Sequence, residues 1–478
     1  MNFEQSYNQN IIYPIKYWED TILTKYPKSL NAIHRTNFFE KVYTVDPMGC
    51  QDADDGFSIF YKNKKLFLTI HIADPTHYFT IRNEKNSLFQ KIKERGMSYY
   101  PSGYNNMPIH MLPNDLLEKS SLITNKEYDF KFTLSITTEI NQDTFLPINF
   151  SEDSLQFYIV EIRPENRYTY IQASKSNEDI FDIGIKIGKN MRESRKDAIK
   201  IENSFALKYI SEENIQIYQY SQREIQIKQM IEEFAIFANM YVGEYFKYHS
   251  KLLNFRGIFR NCDASSFVHK YKNSTDDLYK QLIINNISAG YTDEYRTHDM
   301  ISYDKLYSHF TSPIRRFSDC LSHFLLKYIH LKKKGNNIQN PFMEGELKNM
   351  VAEIHLKTKF NKKLSYTDQK FRKIQTLYYL LKKYSSLIFE CDVISWKSGF
   401  LNILISNVMD CFTYHKFKIN ISCSFWKDKN VTIKNLKVKI SKMNLYIQGN
   451  NVYIPFTLSG KMKDNEIFPE LYSKILDL

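Results

Sequence analysis

The chain has 478 residues, with 65 Lys plus Arg against 53 Asp plus Glu and a hydrophobic share of 43%. This length has room for roughly two to four domains and excludes a lone small scaffold, and the hydrophobic share excludes a mainly disordered protein. The net charge of +12 favours a polyanionic partner, either nucleic acid or an anionic membrane surface, with a basic surface that has no such partner as the alternative.

The cysteines and the apolar segments of the sequence indicate the cellular compartment of the protein. Six cysteines are scattered without a Cys-x-x-Cys pair, which argues against a disulfide framework and a structural zinc. No apolar run approaches the ~18 residues of a membrane helix, and the start of the chain lacks the pattern of a signal peptide. We expect a protein without membrane contact in a reducing intracellular compartment, the cytoplasm first, with an organelle, the nucleus or a virion as alternatives.

The first half of the chain predicts mainly sheet. Residues 1–39 form an N-terminal lead whose first ~30 residues look irregular. The pattern then becomes strand-like over Lys41–Val45 and Lys65–Ala73, where apolar and other residues alternate. An acidic turn, Asp46–Gly56, lies between these two segments. Phe130–Ile140 and Leu155–Ile162 continue the strand pattern.

The second half predicts helices and then strands again. Over Gln222–Ser250 apolar residues recur every three or four positions, which is typical of a long helix with a broad buried face. A second helix is predicted to begin at Ser312 and Pro313, with Ser312 as its N-cap, and residues 344–384 predict further helix. From Leu387 to Phe456 short strands predict a small barrel of about five strands. The predicted fold class is α+β.

The acidic turn is the strongest candidate for chemistry. Asp46, Asp52, Asp54 and Asp55 place four carboxylates within ten residues, at a Coulomb cost that a cation can offset. Oxygen ligands without His or Cys favour Mg²⁺ or Mn²⁺. A calcium loop is disfavoured because its glycine is one position early and Asn63 stands where such a loop has Glu. An exposed acidic turn without metal is the remaining alternative.

Two further groups of residues are candidates for binding. Arg315 and Arg316 follow Ser312 at the predicted helix start, where backbone N–H groups and two guanidinium groups favour an anion. Surface ion pairing of these arginines is the alternative. Tyr100 and Tyr170 are candidates for stacking on bases, with ordinary packing as the alternative.

Several motifs, in a fixed order, resemble the RNase II/RNase R exoribonucleases, the RNB-domain family. The resemblance covers about residues 40 to 335, and the Pro-x-Gly-Cys form of the acidic turn is closer to the eukaryotic exosome-associated branch. The motifs that carry it are Tyr43-Thr-Val-Asp46-Pro-Met-Gly-Cys-Gln-Asp52-Ala-Asp54-Asp55, Ile70-His-Ile-Ala-Asp74-Pro-Thr-His77, Arg95-Gly-Met-Ser, Met111-Leu-Pro113, Arg167-Tyr-Thr-Tyr170, Ile231-Glu-Glu-Phe with Ala238-Asn239, and Ser308-His-Phe-Thr-Ser-Pro-Ile-Arg-Arg.

The resemblance implies a metal-dependent hydrolytic 3′→5′ exoribonuclease that degrades single-stranded RNA to nucleoside 5′-monophosphates. It implies that Asp46, Asp52, Asp54 and Asp55 hold the catalytic Mg²⁺ or Mn²⁺ ions, with Asp54 essential, and that Arg315 holds a phosphate. RNA contacts are expected from Tyr100, Tyr170, Ser312 and Arg316.

The resemblance also divides the chain. It implies an RNB-like catalytic domain over residues 40–384, including the C-terminal helices, and an OB-fold-like RNA-binding barrel over residues 385–478, with a packing-only domain as the alternative.

Three departures from the family pattern modify these expectations. The two cold-shock barrels of the family are absent before the acidic turn, so a protein partner is expected to replace them. Gly56 stands where the family has Ala, which we expect to be tolerated. Lys370 aligns with a family Glu near the active site, with Asp368 two positions away. The alternative function is a catalytically weak or inactive RNA-binding or scaffold protein that retains the fold.

Overall fold

The computed structural model describes residues 33–81, 87–101, 107–148, 151–195, 205–209, 215–253, 257–264, 289–383, 386–397, 400–408, 412–422, 433–441, 446–448 and 451–453. Most of the predicted N-terminal lead lies outside these ranges.

A five-stranded sheet organises the first half of the chain. Its strands run in the order β1-β6-β5-β4-β3, with β1 parallel to β6 and the other neighbours antiparallel. The strands of this half are β1 (Thr36–Phe38), β2 (Thr44–Asp46), β3 (Asp55–Lys62), β4 (Lys65–Ala73), β5 (Asp129–Ile140), β6 (Leu155–Ile162) and β7 (Arg167–Thr169).

The strand predictions are confirmed in most places. The segments 65–73, 130–140 and 155–162 are strands, as their alternation indicates. Residues 36–38 form β1 and pair with β6. The strand predicted over 41–45 is confirmed in part, since β2 covers 44–46 and pairs in parallel with β7.

Eight α-helices are described. They are α1 (Leu88–Arg95), α2 (Asn114–Ser120), α3 (Tyr170–Lys175), α4 (Asp179–Ser194), α5 (Gln222–Tyr248), α6 (Ser250–Leu253), α7 (Phe317–Lys333) and α8 (Glu344–Lys383). The long helix predicted from residue 222 is confirmed, and its N-terminus is a capping box in which Ser221 and Glu224 satisfy each other's backbone N–H groups. No helix in the described ranges is long and apolar enough to cross a membrane.

The helix predicted from Ser312 begins five residues later, at Phe317, so Ser312 is not its N-cap. The N–H groups of Arg315 and Arg316 bond back to the Ser312 carbonyl and form a turn. Arg316 is extended and bridges to Met97, which removes it from the helix. Tertiary pairing therefore overrides the local start signal.

Helices cover the sheet through close contacts. Helix α4 packs on α5 where Gly188 approaches Met230, and a Cβ atom at Gly188 would lie 2.7 Å from the Met230 Cα. Phe234 of α5 then packs edge-on to Phe57 of β3, with ring centroids 5.6 Å apart. This packing holds the N-terminal half of α5 beside the acidic turn.

The remaining described strands form smaller sheets. They are β8 (Phe205–Tyr209), β9 (Ile215–Gln219), β10 (Phe259–Asn261), β11 (Gly290–Thr292), β12 (Thr297–His298), β13 (Ser302–Leu306), β14 (Ser386–Lys397), β15 (Phe400–Val408), β16 (Phe412–Ser422), β17 (Ile433–Ser441), β18 (Tyr446–Gln448) and β19 (Asn451–Tyr453). In the C-terminal part, β16-β15-β14-β17 form an antiparallel sheet and β18-β19 a separate pair. The described strands thus show sheet there and no closed barrel, and the OB-like barrel stays a prediction.

A buried ion cluster joins the sheet to α7. The Asp74 carboxylate, fully buried at the end of β4, pairs with Arg35 and with Lys327 of α7, whose Nζ lies 2.6 Å from Oδ2. Burial alone raises the pKa of Asp74, but Lys327, Arg35 and His323 hold it well below its usual range. Three segments of the chain therefore meet at one ionised carboxylate.

Asp74→Asn is expected to lower the free energy of unfolding by about 3–5 kcal/mol, because it leaves two buried cations without their counter-charge. Since the folded pKa is depressed, the stabilisation is present above the unfolded value near 4 and is lost as the pH falls further. Urea unfolding at neutral and acidic pH measures both effects. The control is Glu139→Gln, which breaks the exposed Lys65–Glu139 pair and is expected to cost about 1 kcal/mol or less. Equal costs for the two variants contradict the prediction.

Candidate active site

A cavity of about 750 Å³ opens between the acidic turn, the start of α5 and the turn before α7. It brings together residues that are more than two hundred positions apart in the sequence. All nine predicted site residues line it, namely Asp46, Asp52, Asp54, Asp55, Tyr100, Tyr170, Ser312, Arg315 and Arg316.

The acidic turn owes its shape to the strands on either side. Asp46 ends β2 and Asp55 begins β3, and an antiparallel bridge between Tyr43 and Phe57 places the two segments side by side. Gly49 adopts a φ of 80°, which favours glycine, and allows the chain to reverse between them. Gly56 faces the backbone: a Cβ atom there would lie 3.0 Å from the Tyr43 carbonyl oxygen, so glycine fits the position without strain.

Asp54 is the buried centre of the site, with 2% of the residue exposed. Its Oδ1 accepts the Ile314 N–H at 2.8 Å, and its Oδ2 accepts the Arg315 Nε–H at 2.9 Å. The Arg315 guanidinium also donates to the Ser312 hydroxyl at 3.0 Å, while 44% of its side chain stays exposed. Asp54 therefore fixes the turn before α7 and directs an arginine into the cavity.

Asp52 and Tyr100 meet on another wall of the cavity. The Tyr100 hydroxyl donates to Asp52 Oδ2, and His110 Nδ1 lies 3.8 Å from the same oxygen. The Cys50 thiol lies between Asp46 and Asp52, 3.7 Å and 3.6 Å from one oxygen of each. Burial and both carboxylates raise the pKa of this thiol, so it is present as the neutral S–H.

The negative charge of the turn is not fully compensated. Burial and the neighbouring Asp55 raise the pKa of Asp46 to about 7, and Asp46 Oδ2 is buried without a hydrogen-bond partner. Burial raises the pKa of Asp55 to about 6 against the opposing effect of Arg315 and Arg316. Burial also raises the pKa of Asp54 well above its usual range, although Arg315 acts against it. Binding of an additional cation would lower the pKa values of all three carboxyl groups.

Arg316 and Ser312 have structural partners as well as places on the cavity wall. Arg316 donates Nε and Nη2 to the two oxygens of Asp319, at 2.9 Å and 2.8 Å. The Ser312 N–H donates to Asp319 Oδ1 at 2.8 Å. This bidentate pair holds the turn that presents Arg315. The predicted RNA contacts of Arg316 and Ser312 stay predictions.

Sequence reasoning missed part of the cavity wall. Lys228, Arg192 and Arg195 line it from α5, α4 and the end of α4. Arg195 pairs with the buried Glu233 through Nε at 2.9 Å. A single lysine on an amphipathic helix carries no signal in the sequence, whereas the Glu232-Glu233 pair was visible as part of a motif.

Asn239 organises the segment that leads into the turn before α7. Its side chain accepts the Phe310 N–H at 2.7 Å and donates to Thr311 Oγ1 at 3.1 Å. Its amide also donates to the Tyr307 hydroxyl at 3.0 Å. One buried amide on α5 thereby sets the path of the chain towards Arg315.

The donor set fits a hard divalent cation in type and charge. The candidates are carboxylate oxygens, and the buried, unpaired Oδ2 of Asp46 is the group that a cation would satisfy. Across the described ranges, however, no three His, Cys, Asp or Glu side chains are arranged to hold one ion together. Arg315 and Tyr100 engage Asp54 and Asp52 instead.

The departure at Lys370 falls in helix α8, but its side chain lies outside the described part of the structure. Asp368, the alternative acid, is fully buried and accepts a hydrogen bond from the Tyr99 hydroxyl at 3.3 Å. It does not line the cavity.

The RNB domain family matches residues 35–332, which is more than half of the chain. The chain belongs to the RNB family.

RNB proteins with assigned names match at low identity. Exoribonuclease 2 of Psychromonas ingrahamii is 23% identical over 376 residues, which cover 68% of this chain and 54% of the relative. Ribonuclease R of Thermotoga maritima is 26% identical over 353 residues, covering 64% of this chain and 47% of the relative. The chain thus spans about half the length of these curated relatives.

Solved RNB structures share the fold. Mycoplasma genitalium RNase R in complex with ribose-methylated single-stranded RNA matches with a TM-score of 0.70 and 16% identity, covering 91% of this chain and 74% of that one. Yeast Ssd1, described as a pseudonuclease, matches with a TM-score of 0.58 and 15% identity, covering 91% of this chain and 54% of that one. The α+β RNB fold is therefore confirmed.

Asp46→Asn is expected to stabilise the protein by about 1–3 kcal/mol in chelator at pH 8, because it removes a buried, repelled carboxylate. The raised pKa means that wild-type stability falls as the pH rises from about 4 to about 7, while the variant loses this dependence. Urea unfolding in EDTA at pH 5 and pH 8 provides the measurement. The control, Asp143→Asn, changes an exposed aspartate and is expected to leave stability unchanged. Destabilisation of Asp46→Asn at pH 8 would refute the electrostatic interpretation.

Proposed function

We propose that the protein is a metal-dependent hydrolytic 3′→5′ exoribonuclease that degrades single-stranded RNA to nucleoside 5′-monophosphates. The observation that carries the proposal is the convergence of four aspartates and Arg315 on one cavity of an RNB domain. The names of the relatives, exoribonuclease 2 and ribonuclease R, support it. A basic chain with a net charge of +12 suits an RNA substrate.

Asp46, Asp52, Asp54 and Asp55 would hold Mg²⁺ or Mn²⁺, which when bound would supply an activated water molecule and charge stabilisation for hydrolysis of the phosphodiester. The raised pKa values of Asp46 and Asp55 support this assignment, because they reflect charge that the protein leaves uncompensated.

Arg315 is the proposed phosphate ligand. Its Nε is held by Asp54 and one terminal nitrogen by Ser312, so the guanidinium has a fixed orientation on the cavity wall. A preoriented guanidinium can offset the charge that develops on the attacked phosphate without reorganisation. Arg316 supports this arrangement through Asp319.

Tyr100 and Tyr170 are the proposed contacts for the terminal nucleotides. Tyr100 is 42% exposed beside Asp52, and Tyr170 lies at the start of α3 on the same cavity. Aromatic rings beside the acidic turn can stack on the bases at the RNA 3′ end and hold the last phosphodiester near the carboxylates.

The C-terminal strands complete the proposal. We assign residues 385–478 to an OB-like RNA-binding domain, supported by the four-stranded antiparallel sheet and by lysines along β17. An intracellular, reducing location suits the three cysteines that are free in the described ranges. A protein partner stays a prediction.

A second candidate is an RNA-binding protein without nuclease activity. The likeness to the pseudonuclease Ssd1 and the lysine at position 370 favour it. Against it, the four carboxylates impose a buried electrostatic cost that binding of RNA alone does not require, since RNA is itself an anion.

The deciding experiment is incubation of 5′-labelled poly(A) with Mg²⁺ or Mn²⁺, with and without EDTA. The wild type is expected to shorten the RNA from its 3′ end in a metal-dependent ladder. Asp54→Asn is expected to lower the rate by about 10²–10³-fold, as removal of one charge-stabilising group does. Asp143→Asn is the matched control and is expected to keep wild-type activity. RNA retention by the wild type without shortening in either metal favours the second candidate.

A further inference from the structure

Lys228 differs from the other cations on the cavity wall. Arg192 and Arg195 pair with glutamates of α5, Arg315 pairs with Asp54, and Arg316 pairs with Asp319. Within the described ranges, Lys228 alone among these lining cations has no carboxylate partner. Its positive charge is therefore available to an anion that enters the cavity.

Two tyrosines hold the Lys228 ammonium group. Its Nζ lies 4.4 Å from the centre of the Tyr170 ring and 4.2 Å from the centre of the Tyr220 ring. Cation–π contacts of this kind orient an ammonium group without neutralising its charge. They also leave N–H groups of the ammonium free for an oxygen ligand, because a ring face does not accept them as a carboxylate does.

The position of Lys228 indicates which kind of anion can bind to it. Lys228, Tyr170 and the four aspartates of the acidic turn line the same cavity, so an anion bound at Lys228 shares that cavity with four carboxylates. A small free anion would be repelled there, whereas a nucleotide strand can place its phosphate on the lysine and an uncharged base on the tyrosine. A lysine serves as a point-charge ligand for such a phosphate.

We propose that Lys228, oriented by Tyr170 and Tyr220, binds a backbone phosphate of the RNA strand beside the nucleotide that contacts Tyr170. The inference rests on the proposed function for the identity of the ligand. It assigns Lys228 to RNA binding and gives Tyr170 two roles, contact with a base and orientation of the neighbouring cation. Tyr220 acts through Lys228 and is a positioning residue.

The test is the salt dependence of RNA binding by the full chain. A 5′-fluorescein oligo(A) is titrated in EDTA, which prevents metal-dependent cleavage, at several NaCl concentrations. Each phosphate contact to single-stranded RNA contributes about −0.7 to the slope of log K against log salt. Lys228→Met is therefore expected to bind more weakly and to reduce the slope by about 0.7, so that between ~50 and ~200 mM salt it loses about threefold less affinity than the wild type.

Matched variants distinguish the effect of losing the Lys228 charge from the effect of changing its packing. Lys228→Arg keeps a cation and is expected to keep the wild-type slope. Lys186→Met removes another lysine that lies over an aromatic ring, 3.7 Å from the centre of Phe145, but outside the cavity, and is expected to change neither affinity nor slope. Lys228→Gln is a second neutral variant in case Lys228→Met does not fold, as judged by its thermal unfolding.

The inference is overturned if folded Lys228→Met or Lys228→Gln keeps the wild-type slope, even with reduced affinity, or if Lys228→Arg loses slope as the neutral variants do. These outcomes are distinct from failure of the proposed function. A wild type that binds RNA in EDTA but never shortens it with metal contradicts the nuclease and leaves the slope comparison intact. A wild type that shortens RNA while Lys228→Met keeps its slope contradicts only the role of Lys228.

Discussion

The contact between Asp54 and the turn before α7 is the constraint on which the site depends. One carboxylate, buried on the acidic turn, accepts the Ile314 N–H and the Arg315 Nε–H from a segment about 260 residues further along the chain. Neither motif forms a site alone, since the turn carries only negative charge and the arginines need orientation. Their junction at Asp54 places a guanidinium group beside a group of carboxylates.

The same junction explains why the site is electrostatically costly. Arg315 partly offsets the charge of Asp54, but Asp46 and Asp55 remain near one another with pKa values raised by burial. The rest of the fold supplies the stability that this arrangement needs, including the Asp74 cluster that joins β4 to α7. Buried carboxylates that repel one another, held in place by a stable fold, favour the binding of a cationic ligand.

Much of this site could be predicted from the sequence. Alternation of apolar residues identified β4, β5 and β6, and the periodicity after residue 222 identified α5, because both signals come from one buried face. All nine predicted residues line one cavity, and the resemblance of their motifs to one family indicated that they belong to one site.

The sequence-based predictions were wrong where contacts between distant parts of the chain determine the local structure. Local signals placed a helix start at Ser312, but the bridge of Arg316 to Met97 and its pair with Asp319 hold those residues in a turn. The bridge between Arg316 and Met97 and the pair between Arg315 and Asp54 both join residues that are far apart in the chain. Single-sequence patterns contain no information on such partners, so the difference between Arg315 and Arg316 emerged only from the structure.

The central claim is that the uncompensated carboxylates around Asp54 bind divalent cations. Titration of the full chain with Mn²⁺, followed by the loss of the free-ion electron paramagnetic resonance signal, tests it without reference to RNA. Stoichiometric binding by the wild type, lost in a double Asp46→Asn, Asp55→Asn variant and kept in Asp143→Asn, is the predicted result. An unchanged free Mn²⁺ signal with the folded wild type, or equal binding by the double variant, would contradict the account.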